Sequence, residues 1–190
     1  MRFEEIAEAL NQNEFDTLDK LYPLNKEELE MLIKILKENT TLKILRLNQH
    51  QLDDECICTL INALQNNHAV TELDLSSNNI SNKGAQSIAD WLKKNPSLIA
   101  LNLSQNKIGN AGARDLMEAL KANKTLKKFN IYCNPISASI MKPLQNEICI
   151  RHEALLQQQS FFRSSMLSGS TPRAILDNQS ELPLHKSCGQ

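Results

Sequence analysis

The sequence predicts an α/β solenoid: a horseshoe arc with a parallel sheet on its concave side, helices on its convex side and a helical cap at each end. Three observations carry this. Leu42, Val70, Leu98 and Leu126 recur at a constant step of 28 residues, the mark of a stacked repeat. Within each unit, Leu45, Leu73, Leu101 and Phe129 are followed two positions on by Leu47, Leu75, Leu103 and Ile131, which is the side-chain period of a strand. In the second half, Leu60, Ile88 and Leu116 precede Leu64, Leu92 and Leu120 by four positions, with Ile57, Ala85 and Ala113 three earlier still, the spacing of one helical face.

Taken in order, residues 1–41 read as an N-terminal cap with a degenerate first unit. Phe3 to Leu10 has the pattern of a short helix, and Leu24, Leu32, Leu36 and Asn39 stand 28 before Leu52, Leu60, Leu64 and Asn67. The corresponding strand positions are Glu14, Thr17 and Asp19, so a regular strand is not expected there. A unit of this kind shields the open end of a stack.

Residues 42–143 hold the regular repeats. Helix starts are expected at Asp54, Asn82 and Asn110 as N-caps, and helix ends at Asn67, Asn95 and Asn123 as left-handed closing residues. Gly84 and Gly112 fall in the first helical turn, where a missing side chain lets neighbouring units approach. Asn78, Asn106 and Asn134 follow each strand; an amide there can bond the backbone of the adjacent turn. His50 replaces it in the first full unit, and a histidine both donates and accepts, so a structural role is expected of it rather than ligand binding.

Toward the C-terminus, Ile136, Leu144 and Ile148 keep the pattern, but Pro143 lacks an amide hydrogen and should begin a helix rather than interrupt one. The expectation is a distorted last unit, a capping helix over 144–162 and, because Ser, Gly and Pro then appear without period, a mobile tail over 163–190.

The unit L-x-x-L-x-L-x-x-N-x-L followed by a full helix resembles the leucine-rich repeat of the ribonuclease-inhibitor type. That resemblance implies a leucine-rich repeat solenoid acting as a protein-binding module. A terminal-helix variant of the role, an adaptor or filament-capping protein, resembles the tropomodulin repeat domain. The abundance of Asn, Gln, Lys and Ile in a short chain also resembles small leucine-rich repeat effectors of intracellular bacteria such as Legionella. It implies virulence, secretion into the host cell cytosol and action on a host protein, with a secretion signal in the tail.

Other classes find little footing. Lysines and glutamates look interleaved around a net charge of −1, which suggests no charge asymmetry and no nucleic-acid partner. Apolar runs such as Met31 to Leu36 fall far short of a membrane span of roughly 20 residues. The acidic N-terminus, with Glu4, Glu5 and Glu8, does not read as a secretory signal. Five cysteines without a C-x-x-C pair suggest reduced thiols in a cytoplasmic, monomeric protein. No cofactor or metal is called for.

No phosphate loop, zinc-protease helix or nucleophile elbow is present, so the chain is not expected to be an enzyme. A Cys133–His50 dyad would span three strand steps, about 14 Å. Cys149 and His152 could meet on one helix face, but nothing is placed to orient the histidine.

Strand alternation instead assigns a concave grid: Ile44, Arg46, Asn48; Glu72, Asp74, Ser76; Ala100, Asn102, Ser104; and Lys128, Asn130, Tyr132. From it Arg46, Asn48, Glu72, Asp74, Asn102, Lys128, Asn130 and Tyr132 are the expected partner-binding residues. Arg46 and Tyr132 would be anchors and Glu72 with Asp74 the acidic centre. The plainer reading is that Arg46 and Asp74, one strand apart, neutralise each other. Trp91, where the other helices have Ala63 and Ala119, is expected to pack between helices; an exposed edge would make it a convex anchor.

Overall fold

The computed structural model describes residues 3–19 and 23–151. The elements run α1 (Phe3–Asn11), β1 (Thr17–Leu18), α2 (Lys26–Leu36), β2 (Ile44–Arg46), α3 (Asp54–Leu64), β3 (Glu72–Asp74), α4 (Asn82–Lys94), β4 (Ala100–Asn102), α5 (Asn110–Ala122) and β5 (Lys128–Asn130). A further helix, α6, is described over 138–151. The strands form one parallel sheet in chain order, with every crossover made by a helix, as parallel neighbours require. The expected α/β solenoid with a parallel sheet is the observed architecture.

The core follows the repeat. Leu45, Leu47, Leu60, Leu64, Leu75, Ile88, Leu92, Leu103, Leu116 and Leu120 are wholly buried, one layer from the strands meeting another from the helices. No single unit encloses these side chains, so burial comes from stacking.

The first unit has a strand after all. Thr17 pairs with Ile44 and Leu18 with Leu45, a step of 27 rather than 28. The core position is therefore the buried Leu18, and the polar Thr17 takes the concave side. A uniform register puts Thr17 inward; a one-residue slip exchanges the two faces of a strand.

Helix starts also sit one residue away from expectation. The N-caps are Asp53, Ser81 and Gly109, while Asp54, Asn82 and Asn110 are the first helical residues. Asp53 Oδ1 accepts from the amides of Glu55 and Cys56. In the next two helices the cap comes from the unit before. Asp54 Oδ1 accepts from Ser81 N at 2.8 Å and Gly84 N at 2.9 Å. Asn82 Oδ1 accepts from Gly109 N at 2.9 Å and Gly112 N at 3.0 Å. A Cβ on Gly84 would lie 2.5 Å from that Asp54 oxygen, and one on Gly112 2.8 Å from the Ala85 methyl. The glycines are thus required by a cap that crosses between units.

Asn67, Asn95 and Asn123 are not left-handed. Asn95 and Asn123 are extended, with φ −83° and −77°, and the left-handed non-glycine residues just after the strands are Gln49, Ser77, Gln105 and Cys133, with Gln51 a further one in the first full unit. The helix-end asparagines act through their side chains. Asn123 Oδ1 accepts from Thr125 N and Leu126 N, while its Nδ2 donates to Leu92 and Asn95 carbonyls one unit back. Asn67 does the same toward Leu36 and Asn39.

Helix α6 starts at 138, in step with Asn110, rather than at 144, and runs through Pro143. Proline there removes the bond that would end on the Ser139 carbonyl, which is exposed and open to water. At the end of the described stretch Arg151 occupies the position 28 after Asn123. Its guanidinium donates to the Leu120, Asn123 and Leu126 carbonyls and its Nε lies 3.3 Å from Glu147 Oε1. Arginine therefore closes the helix-end series. The remainder of the expected capping helix and the expected tail lie outside the described residues.

Candidate functional site

The concave grid assembles as three rows. Register places Ile44, Glu72, Ala100 and Lys128 in one row and Arg46, Asp74, Asn102 and Asn130 in the next. Asn48, Ser76, Ser104 and Tyr132 follow where the chain leaves the strands, joined by Gln49 N to Ser76 O, Ser77 N to Ser104 O and Gln105 N to Tyr132 O. All eight expected binding residues are half-buried, and Ala100 between Glu72 and Lys128 is buried.

Their polar atoms are turned to the protein's own use. Asp74 Oδ1 accepts from Ser76 N at 2.9 Å, Asn102 Oδ1 from Ser104 N at 3.1 Å, and Asn130 Oδ1 from Tyr132 N at 3.1 Å. Each is a side chain bonding its own backbone two residues on, the device by which Asx residues set a turn. Asn102 Nδ2 donates to Asp74 Oδ2 at 3.1 Å, tying adjacent units. Arg46 does not pair with Asp74: its guanidinium bridges Asp19 at 3.0 Å, across the first strand step. The grid is a set of strand-end ties with an ion pair at one margin.

His50 is structural. Its Nδ1 accepts from Leu24 N at 3.1 Å, as Asn78 Oδ1 accepts from Leu52 N at 3.0 Å and Asn106 Oδ1 from Ile80 N at 3.1 Å. Burial holds its pKa below the ordinary histidine value, because a buried imidazolium loses hydration. Cys133, disulfide-bonded, offers it no thiol for a dyad. Of the Cys149–His152 pair, His152 lies outside the described residues.

Asp53 is held below the ordinary carboxylate range by its hydrogen bonds to Cys56, and burial raises the Cys56 thiol. Cys56, Cys58 and Cys149 are free thiols. Cys133 is disulfide-bonded, against the expectation of five reduced cysteines.

Trp91 is buried, and its indole Nε1 donates to the Leu64 carbonyl at 3.2 Å; the convex-anchor reading is corrected, and packing is its role. A shallow groove of about 330 Å³ beside it is lined by residues of α3 and α4 including Cys58, Ser87 and Lys94.

The charge reading needs a larger correction. Residues 1–90 carry 8 basic and 16 acidic side chains, whereas residues 91–151 carry 10 basic and 3 acidic. The near-zero total conceals halves of −8 and +7. Local alternation along α1 and α2 hid this, because interleaving within a helix says nothing about the balance between distant helices. No helix among the described residues is long and apolar enough to cross a membrane, and among them no group of three or more His, Cys, Asp or Glu is placed to hold a metal.

Comparison with known proteins agrees with the architecture. The leucine-rich repeat family profile matches residues 38–55, 66–89 and 94–117, and the fold is a leucine-rich repeat solenoid. Among solved structures, the chain is similar to leiomodin-1 Actin-Binding Site 2, with a TM-score of 0.72 at 23% identity, covering 88% of this chain and 98% of that one. It is also similar to the tropomodulin C-terminal domain of Caenorhabditis elegans, with a TM-score of 0.69 at 15% identity, covering 84% of this chain and 98% of that one. At these identities the likeness is one of fold. No curated protein matches the sequence.

Proposed function

We propose that this leucine-rich repeat solenoid is a protein-binding adaptor of tropomodulin-like type, engaging actin through its terminal helices. The observation that carries this reading is the extent of the likeness to a domain described as an actin-binding site, 98% of which is matched. Two features of the chain favour terminal helices over the concave sheet. The sheet's central polar side chains are committed to their own turns. Helix α6 meanwhile presents Ile150 at 61% exposure, the most exposed large apolar residue among those described, a side chain on a terminal element that a docked partner would cover.

Capture by the concave sheet is the second reading, favoured by the row of half-buried Arg46, Asp74, Asn102 and Asn130. The bacterial-effector reading rests on compositional resemblance and draws no support from the relatives reported above. A cytoplasmic setting belongs to the actin proposal and stands or falls with it.

Co-sedimentation with actin filaments tests the proposal. The wild-type chain is expected in the pellet. Ile150→Asp should reduce the bound fraction at least tenfold, and Asp74→Lys with Asn102→Arg should change it less than twofold. Binding lost in the concave variant alone would transfer the site to the sheet. A wild-type chain that stays in the supernatant at every filament concentration would overturn the actin reading.

A further inference from the structure

The charge halves are spatially separate, and each is exposed. In the first layer, Glu4 and Glu8 on α1 and Glu27 and Glu30 on α2 are exposed, as is Met31 at 47%; α2 also exposes Lys26 and Lys34, so the layer is acidic on balance. In the fourth and fifth units, Lys94, Lys121, Lys124 and Lys127 are exposed around Ile99, 40% exposed. These lysines share one edge. Asn123 Nδ2 bonds the Asn95 carbonyl at 3.0 Å, and Lys127 N bonds the Ile99 carbonyl at 2.8 Å, so the segments 95–99 and 123–127 lie side by side. No acidic residue occurs between Trp91 and Arg114 or between Ala119 and Asn146.

Part of this charge serves the helices: lysines at the ends of α4 and α5 offset the negative ends of their dipoles. That account does not reach Lys127, which follows the helix and precedes β5, nor does it explain an exposed isoleucine among lysines. The two patches also cannot neutralise each other within one molecule. Three to four strand steps of about 4.8 Å put them roughly 14 to 19 Å apart, well beyond a Debye length of about 8 Å at physiological salt. Each patch is therefore open to a surface of opposite charge on another molecule.

We propose that the lysine rim around Ile99 docks the acidic first layer around Met31 of a second copy of this chain. The complement to each patch is present on the same molecule: a rim of exposed lysines on one side and, on the other, a first layer whose exposed acids outnumber its exposed lysines. The net charge of −1 leaves almost no long-range repulsion between copies. The contact joins two different surfaces, so it is heterologous and extends head to tail rather than closing into a symmetric pair. A monomer, expected from the sequence, is then the high-salt and low-concentration limit.

Sedimentation velocity on the full chain from about 1 µM to 1 mM, at 20 and 300 mM salt, tests this. The weight-average mass should rise with concentration at low salt, and the apparent association constant should fall at least tenfold at high salt. Two variants are made: Lys94→Glu, Lys121→Glu, Lys124→Glu and Lys127→Glu in one, and Glu4→Lys, Glu8→Lys, Glu27→Lys and Glu30→Lys in the other. Circular dichroism confirms that each folds, and Gln at the same positions substitutes for any that does not. Each alone should lose self-association at least tenfold; mixing the two charge-reversed chains should restore it, since one then carries only acidic patches and the other only basic ones. A wild-type chain monomeric throughout overturns the proposal. So does association that neither variant weakens, which would place the contact elsewhere, or a lysine rim that binds duplex DNA or anionic vesicles more tightly than it binds a second copy.

Discussion

Two asparagine series run the length of the solenoid, and they differ in what they join. The strand-side series, Asn78, Asn106 and Asn134, sends Nδ2 to the Leu47, Leu75 and Leu103 carbonyls of the preceding unit and accepts with Oδ1 from the amides of Leu52, Ile80 and Ile108. The helix-side series, Asn39, Asn67, Asn95 and Asn123, accepts from the amides two and three residues on, in the bend before the next strand, and, in all but Asn95, donates to carbonyls at the end of the previous helix. Both serve backbone groups that neither helix nor strand can pair, at the two bends of each turn. The difference teaches that a solenoid needs a polar tie at each bend, not only at the one its consensus advertises.

If the two ties are equivalent, cutting either should cost about the same. Asn106→Ala leaves the buried Ile80 amide without its acceptor and takes a donor from the Leu75, Leu103 and Ser104 carbonyls; about 3 kcal/mol of stability should be lost. Asn123→Ala strands the Leu126 amide and the Leu92 and Asn95 carbonyls, and its Thr125 partner is only partly buried, so about 2 kcal/mol is expected. Urea denaturation measures both. A helix-side loss under about 0.5 kcal/mol would mean that water replaces that tie and that the strand-side series alone holds the bends.

How much of this was legible in the sequence follows from the same comparison. The strand-side asparagines sit inside the apolar consensus, so their role could be read. The helix-side ones follow a helix end, where asparagine more often supplies a left-handed turn, and the backbone choice cannot be told from the residue alone. The one-residue errors at Asp54 and at Leu18 share a cause: periodicity fixes which residues share a face, while caps and strand register depend on single bonds from the neighbouring unit. The concave residues were located correctly, but Asp74, Asn102 and Asn130 bond their own chain two residues on, and a side chain's choice between its backbone and a partner is not written in its spacing. The charge halves were legible by counting and were missed by looking only at neighbours.

Asn95 is the flaw in the helix-side series and sharpens the comparison. Its fellows predict donation to the Leu64 and Asn67 carbonyls, yet Asn95 Nδ2 is buried without a partner, and Leu64 O is taken by the Trp91 indole. Trp91→Phe should release that carbonyl to the amide. The cavity left by trimming the indole costs about 1 to 2 kcal/mol, and the regained bond returns about 1, for a net loss near or below 1 kcal/mol. NMR should show the Asn95 side-chain amide newly protected from exchange. A loss of 3 kcal/mol or more with no change in that amide would show that the two groups do not compete.

The strand-side series has its own exception in His50, and its signature is pH rather than magnitude at neutrality. Neutral His50 accepts the Leu24 amide; protonated, it cannot, and the charge is poorly hydrated where it sits. Because burial lowers its folded pKa, the unfolded chain binds the proton more readily. Stability from this group is complete above the unfolded value of about 6.5 and is lost as pH falls through the folded value. Asp53 is also depressed, but a carboxylate's loss comes well below that window. His50→Asn restores the residue used at Asn78 and Asn106, so the variant should match the wild type within about 1 kcal/mol at pH 7.5 and lose the downward slope below pH 6.5. Urea midpoints at half-unit pH steps compare the two; parallel curves across that range would mean that His50 takes up its proton as readily folded as unfolded, so that neither its burial nor its bond to Leu24 contributes to holding the first unit on the stack.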